Sequence, residues 1–84
     1  MADRGVQAAV QRFPERGSEI RRLALADAAF RALCGDLVEA EAALVRWTET
    51  AGTQAAERRR EYDVLVRELA EEISAAVDSA PGTD

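Results

Sequence analysis

The chain has 84 residues and a formal net charge of −5, and its 11 basic residues are all arginine. Such a length holds a single domain, whose core alone supplies only about 3–5 kcal/mol of net stability. The composition excludes an internal disulfide and a Cys/His metal cage, because there is one cysteine and no histidine. The acidic balance argues against a general nucleic-acid binder, which needs net positive charge.

The sequence also bears on compartment. It has no run of about 18 apolar residues of the kind that spans a membrane, and its first ten residues, MADRGVQAAV, lack the apolar stretch of a signal peptide. A single cysteine fits a reducing environment. We therefore expect a cytoplasmic protein with no membrane partner.

The first segment, residues 1–12, combines small apolar and polar side chains. Val6 and Val10 recur at helical spacing, but Gly5 weakens a helix because glycine loses more backbone entropy than any other residue. We expect either a frayed arm or a marginal helix here.

The second segment begins at Pro14. Proline suits the first position of a helix, where a missing N–H costs nothing, and it biases Phe13 toward an extended conformation. Ile20 and Leu23 share one helical face. The sequence therefore predicts a short helix over residues 14–26.

Asp27 is a candidate N-cap, because its carboxylate can accept hydrogen bonds from the first turn of a following helix. One unbroken helix through Asp27 is the alternative, since Leu23 and Phe30 stay in phase, and the sequence leaves both open. Beyond it, apolar residues recur at steps of three and four, which predicts a helix over residues 28–51. These residues are Phe30, Leu33, Leu37, Ala40, Leu44, Trp47 and Ala51.

Gly52 can adopt the left-handed conformation that ends many helices. A last helix is predicted over residues 54–78, and Pro81 with its neighbours predicts a disordered tail over residues 79–84. The apolar face of this helix contains Ala55, Tyr62, Val66, Leu69, Ile73 and Val77.

These elements predict an all-α fold in one domain over residues 1–84. A short N-terminal helical segment is followed by a long antiparallel helical hairpin, because a short turn joins the two long helices. The apolar stripes of both helices are wider than one partner helix covers. We therefore expect a homodimer in which two hairpins form a four-helix bundle, with cover by the N-terminal segment as the alternative.

Several short patterns, in a fixed order, resemble the small YdcH-like proteins of proteobacteria. Those proteins commonly read F-P-E, then I-x-x-L, then D-x-x-F-x-x-L, and close with L-x-x-E-I. The matching residues here are Phe13-Pro14-Glu15, Ile20, Leu23, Asp27, Phe30, Leu33 and Leu69-Ala70-Glu71-Glu72-Ile73. The chain departs from the family in its Ala-rich middle, in Trp47 at a position that is usually polar, and in the basic residues missing late in the last helix.

The resemblance implies a helical hairpin and a family with no assigned biochemical activity, so it implies no catalytic residue. The residues themselves agree. The sequence has no glycine-rich phosphate loop, no nucleophile beside a base and no metal-ligand set. We expect no enzyme, no cofactor, no metal and no small-molecule substrate.

Four residues are candidates for an interaction surface: Glu41, Trp47, Arg58 and Arg59. Glu41 falls near the centre of the apolar stripe, either as a flanking carboxylate whose head reaches water or as a specificity residue near an arginine of a partner subunit. Trp47 lies near the turn, where Arg58 could cover its ring or where it simply packs. Arg58 and Arg59 belong to the run ERRRE, either a solvated helix start or a contact for an acidic partner.

Cys34 is either a small buried apolar residue or a redox-sensing thiol, and we expect Asp36 to raise its pKa. The function these features favour is a small self-associating structural or protein-interaction module. The alternative is a regulatory adaptor that binds a larger, unidentified protein through its hairpin. Nucleic-acid binding through the arginines is a distant third.

Overall fold

A computed structural model describes residues 3–81 of the chain. Within that range every regular element is helical, so the prediction of an all-α fold is confirmed. In chain order the helices are α1 at Arg4–Arg12, α2 at Gly17–Ala26, α3 at Ala28–Thr48 and α4 at Thr53–Ser79. A short 3-10 turn at Pro14–Arg16 joins α1 to α2.

Helix α1 occupies the segment for which the sequence predicted only a frayed arm or a marginal helix. Its N-cap is Asp3, whose carboxylate accepts hydrogen bonds from the backbone N–H groups of Gly5 (2.8 Å) and Val6 (3.1 Å). The side chains of Ala8 and Ala9 are buried in the core. The segment is therefore a nine-residue helix that packs against the rest of the fold, because tertiary contacts outweigh its low helix propensity.

Gly5 explains how α1 reaches the core. A β-carbon at this position would lie 2.6 Å from the carbonyl carbon of Cys34 and 2.6 Å from the backbone nitrogen of Gly35. Real side chains do not tolerate such distances, so only glycine allows the backbones of α1 and α3 to approach this closely. The residue that weakens α1 as an isolated helix is the one that permits its docking.

The predicted helix over residues 14–26 is divided in the structure. Pro14 starts the 3-10 turn, and the α-helix begins at Gly17 and ends at Ala26. Phe13 caps both α1 and the turn, and its partly buried side chain packs against the core. The proline lacks the N–H that would continue α1, so the chain changes direction here.

Asp27 separates α2 from α3, so the structure has the break and not the unbroken helix. The residue is extended, with φ −135° and ψ 106°, and its carboxylate accepts a hydrogen bond from the N–H of Phe30 at 3.1 Å. This is the N-cap arrangement, in which a side chain satisfies a donor that the helix itself leaves free.

The link between α3 and α4 covers residues 49–52, so α3 ends earlier than the predicted residue 51. The hydroxyl of Thr48 donates to the carbonyl of Leu44 (2.7 Å) and that of Thr50 to the carbonyl of Arg46 (2.8 Å). Gly52, at φ 112°, then precedes α4. Helix α4 continues through Ser79, the first residue of the predicted tail, and residues 82–84 of that tail lie outside the described range.

The core lies where α3 packs against α4, which is the most extensive helix contact in the fold, and α1 covers α3 from another side. Ile20, Cys34, Leu37 and Ile73 are its largest fully buried side chains. Further core residues come from every helix: Ala8, Ala9, Ala24, Phe30, Ala40, Val66, Leu69 and Val77. All four helices therefore contribute to the core, and no single pair of helices completes it.

Candidate interaction surface

Glu41 forms an ion pair with Arg12. The Nη2 atom of Arg12 lies 2.7 Å from a carboxylate oxygen of Glu41, and its Nε atom lies 3.2 Å from the same oxygen. The two side chains remain 36% and 31% exposed. The arginine beside Glu41 therefore comes from α1 of the same chain, and the ion pair links α1 to α3 at their surface.

The other three candidate residues lie near the link between α3 and α4. Arg58 donates a hydrogen bond to the carboxylate of Glu61 at 2.8 Å, one turn further along α4. Trp47 is partly buried and Arg59 is exposed. Of the three charged candidates, Glu41 and Arg58 belong to separate ion pairs, and the structure does not bring the four residues together as one site.

Cys34 is fully buried beneath α1. Burial raises the pKa of its thiol to about 11, and the nearby charge of Asp3 contributes in the same direction. The sequence pointed to Asp36 as the acid responsible, but the structure assigns that part to the N-cap of α1. A thiol that stays protonated and covered is a poor nucleophile, so Cys34 acts as a core residue.

A groove of about 430 Å³ runs between α3 and α4. All of its lining residues belong to these two helices, so neither α1 nor α2 contributes to it. The apolar part of the lining consists of Ala40, Ala43, Tyr62, Leu65 and Leu69. Leu65 is 39% exposed, which makes the groove an apolar surface that stays open to solvent.

Charged residues border this groove on the α3 side. Asp36 and Glu39 lie near the middle of the helix, and Arg46 lies near its C-terminal end. All three side chains are exposed. The border therefore changes sign along the groove, from acidic to basic.

The described part of the chain shows no arrangement suited to metal chemistry. Within residues 3–81 no cluster of three or more Asp, Glu, Cys or His side chains could hold a metal ion. Nor is any helix in that range long and apolar enough to cross a membrane.

Comparison with known proteins adds no identification. No protein-family model matches the chain, and neither a curated protein nor a solved structure was found to be similar to it.

The sequence predicted apolar stripes wider than one partner helix covers, but not that α3 and α4 would leave an open groove between them. Leu65 lies beside the predicted apolar face of α4, and Ala40 belongs to that of α3. The signal that could have located the groove is their juxtaposition: small residues on one helix facing larger apolar residues on the next. That juxtaposition depends on how the two helices are rotated, which periodicity alone does not determine.

Proposed function

We propose that this protein is a small self-associating interaction module. In this proposal α3 and α4 form an antiparallel hairpin, and the hairpins of two copies pack as a four-helix bundle. The observation that carries it is the open apolar groove between α3 and α4, bordered by the exposed side chain of Leu65. Helices bury stripes of this kind against a partner because removing apolar surface from water is favourable.

The position of α1 supports the same conclusion. Helix α1 packs on α3 through the buried side chains of Ala8 and Ala9, so the N-terminal segment covers one side of α3. The groove has no such cover from within residues 3–81. A chain with a small core gains stability from association, because assembly is linked to folding by mass action.

Sedimentation equilibrium tests the proposal over a hundredfold range of concentration. We expect the mean mass to rise from that of one chain toward that of two, and the midpoint of thermal unfolding to rise with concentration. A single monomer mass throughout, together with a concentration-independent midpoint, would rule out self-association.

Neighbouring residues on α4 provide a matched pair of variants. Leu65 borders the groove, whereas Val64 is 51% exposed and is absent from the lining. We expect Leu65→Ala to weaken the dimer and Val64→Ala to leave it unchanged. Equal effects of both variants would place the interface elsewhere.

A second candidate function is an adaptor that binds a different protein. The favouring observation is Leu25, which is 86% exposed and borders a second groove between α1 and α2, lined in part by Val6, Val10 and Ala24. A pull-down from native lysate would compare the parent with Leu25→Asp. A protein retained by the parent and lost by the variant would support the adaptor.

Two further points belong to this proposal. We place the protein in the cytoplasm, because a chain with one free cysteine suits a reducing compartment. We also retain the relationship to the YdcH-like proteins, which is supported by the ordered patterns from Phe13 to Ile73.

A further inference from the structure

The charges beside the α3–α4 groove carry information about orientation, given the self-association proposed above. Glu39, Ala43 and Arg46 follow one another at steps of four and three residues, so they lie along one side of α3. Among residues 3–81 no ion pair involves Asp36, Glu39 or Arg46. These exposed charges are therefore available to a second molecule.

Two hairpins can stack on their grooves with two-fold symmetry in two ways. In the first way, α3 of one copy lies on α4 of the other. In an antiparallel hairpin the stretch of α3 around Asp36 and Glu39 is level with the stretch of α4 around Leu69, near which Glu68 and Glu72 are exposed. This stacking places Asp36 and Glu39 beside those carboxylates, and like charges that face each other across an interface repel.

In the second way, α3 lies antiparallel on α3 of the other copy, with the two-fold axis near Ala43. The acidic end of one helix then meets the basic end of the other, so Glu39 faces Arg46 of the second copy twice in the dimer. Ala43, which is 5% exposed, is small enough to let the two helix backbones approach. The same symmetry lays α4 on α4, so Leu65 of each copy, which lines the groove, becomes part of the interface.

We propose that the groove is occupied by a second copy of this chain, with the two α3 helices antiparallel and joined by two Glu39–Arg46 ion pairs. Apolar burial around Leu65 drives the association. The ion pairs select the orientation, because charges at the edge of an interface contribute more to specificity than to affinity.

Charge reversal tests the orientation. Glu39→Arg and Arg46→Glu each place like charges at both pairs, so each variant should dimerise at least about tenfold more weakly than the parent. The double variant restores opposite charges and should recover parental affinity to within about threefold. Arg60→Glu is a matched control, because this exposed residue of α4 is absent from the groove lining, and it should leave the dimer unchanged.

Mixing the two single variants gives the sharpest readout. A chain with Glu39→Arg and a chain with Arg46→Glu form two attractive pairs with each other, while each repels itself. Native mass spectrometry of the mixture, with one variant isotopically labelled, should show mainly the heterodimer. Suppose that the parent dimerises but the mixed variants show no preference for the heterodimer, or that neither reversal changes the affinity. Either result would overturn the orientation and leave self-association standing. A parent that is monomeric throughout would overturn both.

Discussion

The backbone of Gly5 in α1 touches the backbone of Cys34 in α3. A β-carbon on Gly5 would lie 2.6 Å from the carbonyl carbon of Cys34 and 2.7 Å from its carbonyl oxygen. Backbone atoms inside a helix cannot rotate out of the way as a flexible side chain can. The contact therefore fixes the identity of one residue and the distance between two helices.

Gly5→Ala should destabilise the fold by roughly 1–3 kcal/mol, the usual cost of overpacking a tight contact, because α1 must move away from α3. Gly35→Ala is the matched control. A β-carbon at Gly35 would meet nothing within 4 Å, and alanine has the higher helix propensity by about 1 kcal/mol, so this variant should gain stability. Urea unfolding followed by circular dichroism measures both, and two shifts in the same direction would contradict the packing described.

The buried thiol of Cys34 should make stability depend on pH in the alkaline range. Burial raises its pKa from 9.0 to about 11, so the unfolded chain loses this proton at a lower pH than the folded chain. The contribution is complete below pH 9.0 and is lost as the pH rises toward 11. Each unit of difference is worth about 1.4 kcal/mol.

Cys34→Ala isolates this effect from the titration of other groups. The variant should be less stable than the parent at pH 8, because it loses packed volume, and its stability should fall less steeply between pH 9 and pH 11. Urea unfolding at several pH values decides the matter. Parallel pH profiles of the parent and the variant would show that the thiol does not contribute.

The ion pair of Arg12 and Glu41 should add little to stability. Both side chains are about one-third exposed, and such pairs are worth about 0.2–1 kcal/mol. A double-mutant cycle with Arg12→Ala and Glu41→Ala should give a coupling energy in this range, smaller at high salt. Glu41→Ala should not change the dimer mass in sedimentation. A loss of the dimer would show instead that Glu41 lies at a subunit interface.

Substitution of Asp27, the N-cap of α3, should lower stability mainly when the new side chain lacks an acceptor oxygen. Asp27→Ala removes the acceptor for the N–H of Phe30 and should lower the unfolding free energy by about 0.5–2 kcal/mol. Asp27→Asn keeps an acceptor oxygen and should cost much less. Equal losses in thermal melts of the two variants would argue against a capping role.

The sequence predicted the elements whose signals are local. The steps of three and four from Phe30 onward reflect a helix that buries one face, and Asp27 and Gly52 have conformational preferences that act at a single residue. Arg58 and Glu61 are also a local pair, recognisable from their spacing along α4. Such features need no knowledge of what lies across the core.

The features that escaped prediction depend on contacts between distant parts of the chain. From the sequence, Gly5 was expected only to weaken a helix, whereas in the structure it allows the backbones of α1 and α3 to pack in contact. Arg12 was not expected beside Glu41, because residues 1–12 gave no firm helix to carry it there. The acid near Cys34 is Asp3 and not the adjacent Asp36, since α1 brings Asp3 across the fold.

The burial of Cys34 under α1 has a practical consequence for measuring motion. A thiol reagent can react with it only in molecules where its cover has opened, either by detachment of α1 from α3 or by global unfolding. The labelling rate divided by the rate for an exposed thiol therefore gives the fraction of time spent open. In the limit of fast reclosing, that fraction yields the free energy of the opening. The chain's one cysteine thus serves as a built-in reporter of the opening that exposes it.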